Sequence, residues 1–452
     1  MEKIIIDPGI ITIESVLEAI KASSYEVHFV GETFNCDAWS KYGIDSIPYK
    51  AFNEVHPIKN IIYVNEHYSD VFNTIINDCR SPQLAERSFY HLRPWQNFFN
   101  EQMIISNLVI NYMDYIYGIN PKFLFFHSTP HNLFSWLFGR VAELMGYPVY
   151  LSKTTALPWR SRLVRGLGVY DTIPLKNNFN DIRVIQSYLN VNTKRYDEAI
   201  PSYEKKRLEA RKGNFWSWPK ELKDAIKRPH RIVAMFKKHS LYKYYQSLAS
   251  TRIPEKFVVV MLHFQPERTS LPEGLNFSQQ LHLIRTLRFG LPDDVTILVK
   301  EHPSMFVGHF DIRYRTKDFY TIVSKMENTQ LVDIAIDSFS LIDKAIAVAT
   351  ITGTVGSQSL IRGTSVLAFG AASYLDNVDS YLIRNSADVS NAYNAITSTT
   401  KEDIHSRMVL YLNNLSENTV CGLETDNVTD YYDQRYRIKA DSWVFYNLLN
   451  SL

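Results

Sequence analysis

Cysteine is scarce in this chain. Cys36, Cys79 and Cys421 are the only three in 452 residues, and they lie far apart with no metal-ligand spacing. That usage excludes a disulfide framework and points to a reduced, cytoplasmic protein. Long apolar runs are missing too: none reaches the roughly 18 residues that span a bilayer. The opening MEKIIIDPGI has too short an apolar stretch, and too early an acid and a proline, for a secretory signal. No internal repeat and no low-complexity tract occur. The formal net charge is only +2, which by itself selects no class of partner and hides a local asymmetry. What is present is a chain with 45% hydrophobic residues, long enough for two or three domains at roughly 150 residues each.

The first half alternates strand and helix patterns. Residues 3–7 read as a short buried strand, 13–22 as a helix and 26–30 as a second strand stopping at Gly31-Glu32. Residues 86–117 have helical period with an interruption or kink at Pro94. A strand at 122–126, a helix from about Pro130 to Met145 stopped by Gly146, and a strand beginning at 148–151 follow. From Phe257 the rhythm returns more clearly. Strands are predicted at 257–262, 295–299, 329–332, 345–351 and 365–369, and helices at 277–289, 318–326 and 357–362. Such alternation gives an α/β fold with parallel sheets and helices on their faces. The domains predicted are 1–200, a basic helical linker at 201–255, 256–424, and a Tyr- and Trp-rich helical segment at 425–452 that packs back on them.

The linker carries the charge asymmetry. Thirteen Lys and Arg between Lys205 and Lys243 face only Glu204, Glu209, Glu221 and Asp224, with Trp216, Trp218, Phe236, Tyr242, Tyr244 and Tyr245 interleaved. A solvated helix whose aromatics pack on a neighbouring domain has this composition. So does a surface that meets anionic lipid headgroups, here over 201–245. No nucleic-acid-binding motif accompanies the charge, so nucleic acid is not expected as a partner.

Three short segments carry most of the chemistry, each beginning where a β-branched run stops. The first is His263-Phe264-Gln265-Pro266-Glu267, with a tail to Gly274 that exceeds the usual 2–6 residues of a βα loop. The second is Lys300-Glu301-His302-Pro303, and the third Thr352-Gly353-Thr354-Val355-Gly356-Ser357. Loops at the carboxyl ends of parallel strands line the edge where such sheets bind ligands, so these three suggest a pocket for an anionic nucleotide. Glycines let backbone amides approach a phosphate, and the Thr and Ser hydroxyls add donors. An ordinary capped βα turn would look the same. Lys300 supplies a cation, and His302 can donate to a phosphate or stabilise a departing nucleotide. Gln265 and Glu267 could grip sugar hydroxyls or a base edge, and Glu267 could support His302.

The first half offers His127-Ser128-Thr129-Pro130-His131 after the strand 122–126, and Glu32 after the strand 26–30. A histidine beside a helix start can act as a general base near neutral pH. His131 and Glu32 are the candidates for that role, although either could be merely solvated. Pro130 between His127 and His131 argues against a continuous helical pair of zinc ligands, and no zinc ligand set is present.

Taken in order, the HFQPE, KEHP and TGTVG loops of residues 257–374 resemble the bacterial capsular polysaccharide biosynthesis family, which includes Kdo transferases. A weaker match is FFHSTPHNLFSWLFGRVAELMGYPVYL at 125–151. The resemblance implies a GT-B glycosyltransferase, with two Rossmann-like domains facing across a cleft. The acceptor would bind the amino-terminal one and the nucleotide-sugar donor the other. His302-Pro303 also looks like the His-Pro motif of bacterial GT-B sialyltransferases, with Thr352 and Thr354 where those enzymes place a Ser/Thr pair on the CMP phosphate. The expected activity is therefore transfer of Kdo or a sialic-like nonulosonic acid from a CMP-sugar to a hydroxyl of a surface glycan or glycolipid, in capsule or lipopolysaccharide. His263, Gln265, Glu267, Lys300, Glu301, His302, Pro303, Thr352, Gly353, Thr354 and Ser357 would bind the donor, with His302 also stabilising the leaving CMP. His131 or Glu32 would serve the acceptor, with no metal or other cofactor required. The acidic base motif of the sialyltransferases is not placed in this sequence, which leaves the catalytic base and the inverting or retaining outcome open. Rival expectations are transfer from CDP-glycerol or CDP-ribitol, a UDP- or GDP-sugar donor, and a non-catalytic subunit of an export complex.

Overall fold

The computed structural model describes the chain apart from residues 10–12, 22, 55–56, 79, 90–97, 158–159, 169–170, 174–181, 194–228, 266, 268, 307–313 and 422–452. It divides into two units, Met1–Val184 with Leu412–Leu452, and Ile185–Tyr411. The basic stretch before Arg228 and the segment 425–452 lie outside the described residues.

The first unit is built on β1 (Lys3–Asp7), β2 (Glu26–Gly31), β3 (Ser46–Pro48), β4 (Leu124–Phe126), β5 (Val149–Thr154), β6 (Arg160–Arg165) and β7 (Asp171–Ile173). β1 to β5 run parallel in the order 3-2-1-4-5. β6 then turns back antiparallel on β5, and β7 pairs with β6. Apolar residues occupy both faces of β1: Ile4 and Ile6 join Phe123, Phe125 and Val16 in one cluster, while Ile5 is equally buried. That near-continuous burial is what a parallel strand covered on both sides requires.

The second unit contains β8 (Phe257–Met261), β9 (Thr296–Lys300), β10 (Thr329–Leu331), β11 (Ala347–Thr350), β12 (Ser365–Ala368) and β13 (Ser380–Leu382), all parallel, in the order 10-9-8-11-12-13. Counted within the unit this is 3-2-1-4-5-6, the Rossmann order, with the direction of winding reversing between β8 and β11. Alternate residues feed two cores. Val258, Val260, Ile297, Val299, Ala347 and Ala349 pack on one face, and Phe257, Val259, Leu298 and Val348 on the other.

The units divide at Val184/Ile185 and Tyr411/Leu412, not at the 200/201 and 424/425 boundaries expected from composition. Tertiary contact explains both shifts. The helix Pro229–Leu248, read as linker, contributes Leu241 and Tyr245 to the second core, and Tyr244 bonds Thr321 Oγ1 at 2.6 Å. At the other end, β14 (Val420–Cys421) adds antiparallel to β6. Arg160, 4% exposed, donates from Nη1 to the carbonyls of Ser416 (2.7 Å) and Thr419 (2.9 Å), closing the end of the helix Lys401–Asn418. Among the described residues no helix is long and apolar enough to cross a membrane.

Because those two carbonyls are buried, Arg160→Met is expected to cost about 1–3 kcal/mol, measured as a lower denaturation midpoint with unchanged slope.

Candidate functional site

In the second unit, β8, β9 and β11 deliver the three sequence-predicted loops to one sheet edge. Their centre is a buried carboxylate. Glu301 follows β9 and is 1% exposed. Its oxygens accept from Arg315 Nε (2.6 Å), Tyr320 OH (2.8 Å) and the backbone N–H of His302 (2.7 Å). Its own N–H meets Tyr245 OH at 3.3 Å. Arg315 also reaches the carbonyl of His263 at 3.3 Å and lies over the Phe319 ring. One guanidinium thus ties the loop after β8 to the loop after β9.

His263 is fixed from several sides. Its N–H donates to Gln280 Oε1 (2.9 Å), and Gln280 Nε2 returns a bond to its carbonyl (3.2 Å). The backbone N–H of Thr352 donates to Nε2 at 3.2 Å, which assigns the ring proton to Nδ1, near Thr269 Oγ1 at 3.5 Å. Burial, and then the nearby charges of His302 and Arg315, push this imidazole down to about 3, so it is neutral. Thr352 Oγ1 donates to Thr269 O, and Ala371 N–H to Glu273 O (2.9 Å), so the long tail is stitched across the loops after β11 and β12.

His302 is partly exposed. Ser304 N–H donates to its Nδ1 at 3.2 Å, leaving the ring proton on Nε2 as a donor. Phe264 lies beside it, ring centroids 6.1 Å apart. Thr354 is exposed at the start of the short helix Val355–Ile361, and Gly353 and Gly356 are required by their neighbours. A Cβ on Gly356 would lie 2.2 Å from the Tyr374 ring, whose hydroxyl donates to Gly353 O at 2.9 Å. Ser357 Oγ bonds Thr354 O at 2.9 Å and meets Tyr188 OH at 3.1 Å.

Other expected site residues have different surroundings. Lys300 is buried, its ammonium bonded to Ile336 O and Ser338 Oγ, and burial pushes it down to about 8. Glu301 is the inner partner of Arg315, and Pro303 opens the one-turn segment Pro303–Phe306. Gln265 is also buried, with Nε2 toward Ser278 O at 3.4 Å, whereas Glu267 is exposed. Arg315, Tyr320 and Gln280 were not legible: they lie 14, 19 and 17 residues from the atoms they hold, with no motif linking them.

The first unit gathers polar groups at its own reversal, between β1 and β4. Asp7 ends β1. Tyr49 OH donates to Oδ2 (2.8 Å) and Gly9 N–H to Oδ1 (3.0 Å). Tyr49 is fully buried, packed on Phe138 at 5.5 Å between centroids. Burial pushes Asp7 up to about 7; the bonds from Tyr49 and Gly9 oppose that, and the Glu32 charge adds to it. His127 follows β4, with Nδ1 3.9 Å from Asp7 Oδ1. Glu32 accepts from Asn132 Nδ2 at 2.6 Å, while Asn132 Oδ1 caps the helix Leu133–Leu144 through Ser135 N–H. His131 is exposed. Sequence reading placed Glu32 and the 127–131 loop on this edge but passed over Asp7; a strand-ending acid before Pro8-Gly9 was the available signal.

Both units therefore have a Rossmann-type sheet with polar loops on its carboxyl edge, the domain composition of a GT-B protein. Residues 221–377 match the family described as "Capsule polysaccharide biosynthesis protein", the family that the three loops resemble. Comparison with curated proteins gives no match. Similar solved structures include UDP-GlcNAc 2-epimerase from Methanocaldococcus jannaschii, at 10% identity over 92% of this chain and 99% of that one, TM-score 0.27. KpsC, a beta Kdo 2,7 transferase from Thermosulfurimonas dismutans, is 14% identical over 67% and 89%, TM-score 0.27. MurG from Acinetobacter baumannii is 8% identical over 100% of both chains, TM-score 0.24. The fold assignment stands on the strand order of each unit.

Two outcomes follow. Glu301→Gln removes one member of a buried ion pair and should destabilise by about 3–5 kcal/mol in denaturant titration. Asp7 binds its proton more tightly folded than unfolded, so its contribution falls as pH rises from about 4 to about 7. Asp7→Asn should accordingly raise the melting temperature at pH 8 and lose that advantage progressively down to about pH 4.

Proposed function

We propose that the chain is a glycosyltransferase of capsule-type polysaccharide synthesis that takes an ulosonic acid, Kdo or a nonulosonic acid, from a CMP-sugar. The observation that carries this reading is His302. Its backbone is pinned by Glu301 and its Nδ1 is engaged by Ser304 N–H, so Nε2–H is a fixed donor at the carboxyl edge of a Rossmann sheet. A fixed donor of that kind stabilises charge that develops on a leaving phosphate, because it needs no reorganisation as the bond breaks. Thr354 and the backbone of Gly353 lie on the loop after β11 at the same edge. The family match over 221–377 supports the capsule context.

In this reading the second unit binds CMP and the first the acceptor glycan or glycolipid. Neutral His263 is a strut between loops, and the donor to the leaving phosphate is His302 Nε2–H. Lys300 organises the 333–338 loop. The exposed Phe236 and Lys237 fit a peripheral membrane contact that would bring a lipid-linked acceptor near.

CMP should raise the melting temperature more than UDP or GDP do, since a ligand that binds only the folded state stabilises it. Stabilisation by UDP without CMP would replace the proposed donor. With a CMP-ulosonic acid donor, His302→Ala should lower kcat by about 10²–10³-fold.

A further inference from the structure

We propose that Tyr188 is a positioning residue of the proposed donor-phosphate loop, turning the Thr354 and Val355 amides outward through the Ser357 hydroxyl. The inference rests on the glycosyltransferase reading and deepens it. Every residue it uses lies in the second unit, Ile185–Tyr411.

The loop after β11 has its carbonyls tied down. Gly353 O accepts from Tyr374 OH and from Gly356 N–H, each at 2.9 Å. Thr354 O accepts from Ser357 Oγ at 2.9 Å and from Gln358 N–H at 3.1 Å. In a trans peptide the N–H points opposite to the C=O of the same plane. Holding these two carbonyls toward Tyr374 and Ser357 therefore turns the N–H groups of Thr354 and Val355 the other way. Among the described residues neither amide donates to a protein acceptor.

Tyr188 completes the second anchor. Ser357 gives its one proton to Thr354 O, so the 3.1 Å contact between Tyr188 OH and Ser357 Oγ is a bond that the phenol donates. Burial pushes the phenols of Tyr188 and Tyr374 up, so both keep the proton they donate. Ser357 itself is 2% exposed, which makes it a link between Tyr188 and the loop and not a direct ligand of the donor.

The helix Ile182–Thr193 that carries Tyr188 is fastened along the helix Val355–Ile361. Tyr188 meets it near one end, and past the other end Arg362 Nη1 donates to Asn192 O at 3.2 Å. Arg362 is oriented by Asp343, 2.7 Å from its Nε, and lies over the Phe339 ring. Asn192 Nδ2 closes back on Tyr188 O at 2.8 Å. A helix of about two turns has little stability of its own, so its placement comes from such contacts.

The test uses the full chain as wild type, Tyr188→Phe, Ser357→Ala and the double variant. It measures affinity for CMP and for cytidine, which lacks the phosphate. Tyr188→Phe keeps the ring and removes only the bond. It should weaken CMP by about 5–20-fold and change cytidine by less than about 2-fold. Ser357→Ala should give the same split, and it stands in for Tyr188→Phe if that variant does not fold. The double variant should be no weaker than the weaker single one, because both substitutions break one chain of bonds. Equal losses for CMP and cytidine overturn the proposal. So does wild-type CMP affinity in Tyr188→Phe, or losses that multiply in the double variant. Hydrogen exchange in the ligand-free chain is a separate readout. Gln358 N–H shares Thr354 O with Ser357 and should exchange about 10-fold faster in Tyr188→Phe. An unchanged rate overturns the positioning role. A wild-type chain that does not bind CMP defeats the proposed function instead, and the exchange rate still decides whether Tyr188 sets the loop.

Discussion

Glu301 is a carboxylate with almost no access to water, and the carboxyl edge of the second sheet is arranged around it. A buried charge is tolerated only when paired and hydrogen-bonded. Here the donors that satisfy it are Arg315, Tyr320 and the amide of His302. Each belongs to a segment whose position matters: Arg315 also holds the His263 carbonyl, and the amide fixes the backbone of His302. The electrostatic requirement of a single side chain thereby sets the geometry of two loops.

The first unit solves a related problem with the opposite emphasis. Asp7 is held by neutral donors, Tyr49 and Gly9, and lies near Glu32, so burial and a like charge raise it instead of an arginine lowering it. One sheet edge thus pairs its buried carboxylate with an arginine. The other poises one near neutrality beside a histidine. The strand order places Asp7 at the reversal of winding between β1 and β4, and Glu301 one strand away from the reversal between β8 and β11.

Much of the fold was legible because parallel strands buried on both faces must read as continuous apolar runs. The runs at 257–262 and 345–351 are found, trimmed at their ends, as β8 and β11, and the run at 295–299 is found one residue later as β9. Short or amphipathic elements were harder. β3 has three residues with a proline, β13 has three, and the helix Ile61–Asn77 carries no cap signal from Asn60, whose contacts instead run to Asp114. The helix Pro229–Leu248 was read as a bridge because its charges dominate the composition. Its packing is decided by Leu241 and Tyr245, which only the partner core identifies.

By itself the sequence determined which strands exist, which loops follow them and which of those loops carry donors, because periodicity and strand-ending motifs are local. The tertiary structure alone decided what each polar side chain is for. Lys300, Glu301 and His302 are consecutive, yet one braces a neighbouring loop, one closes a buried ion pair and one accepts the Ser304 amide at the rim. Asp7 and His127 become partners only when β1 and β4 pair. Hydrogen bonds and burial act across space, between groups as much as 259 positions apart in this chain, and no spacing rule encodes them.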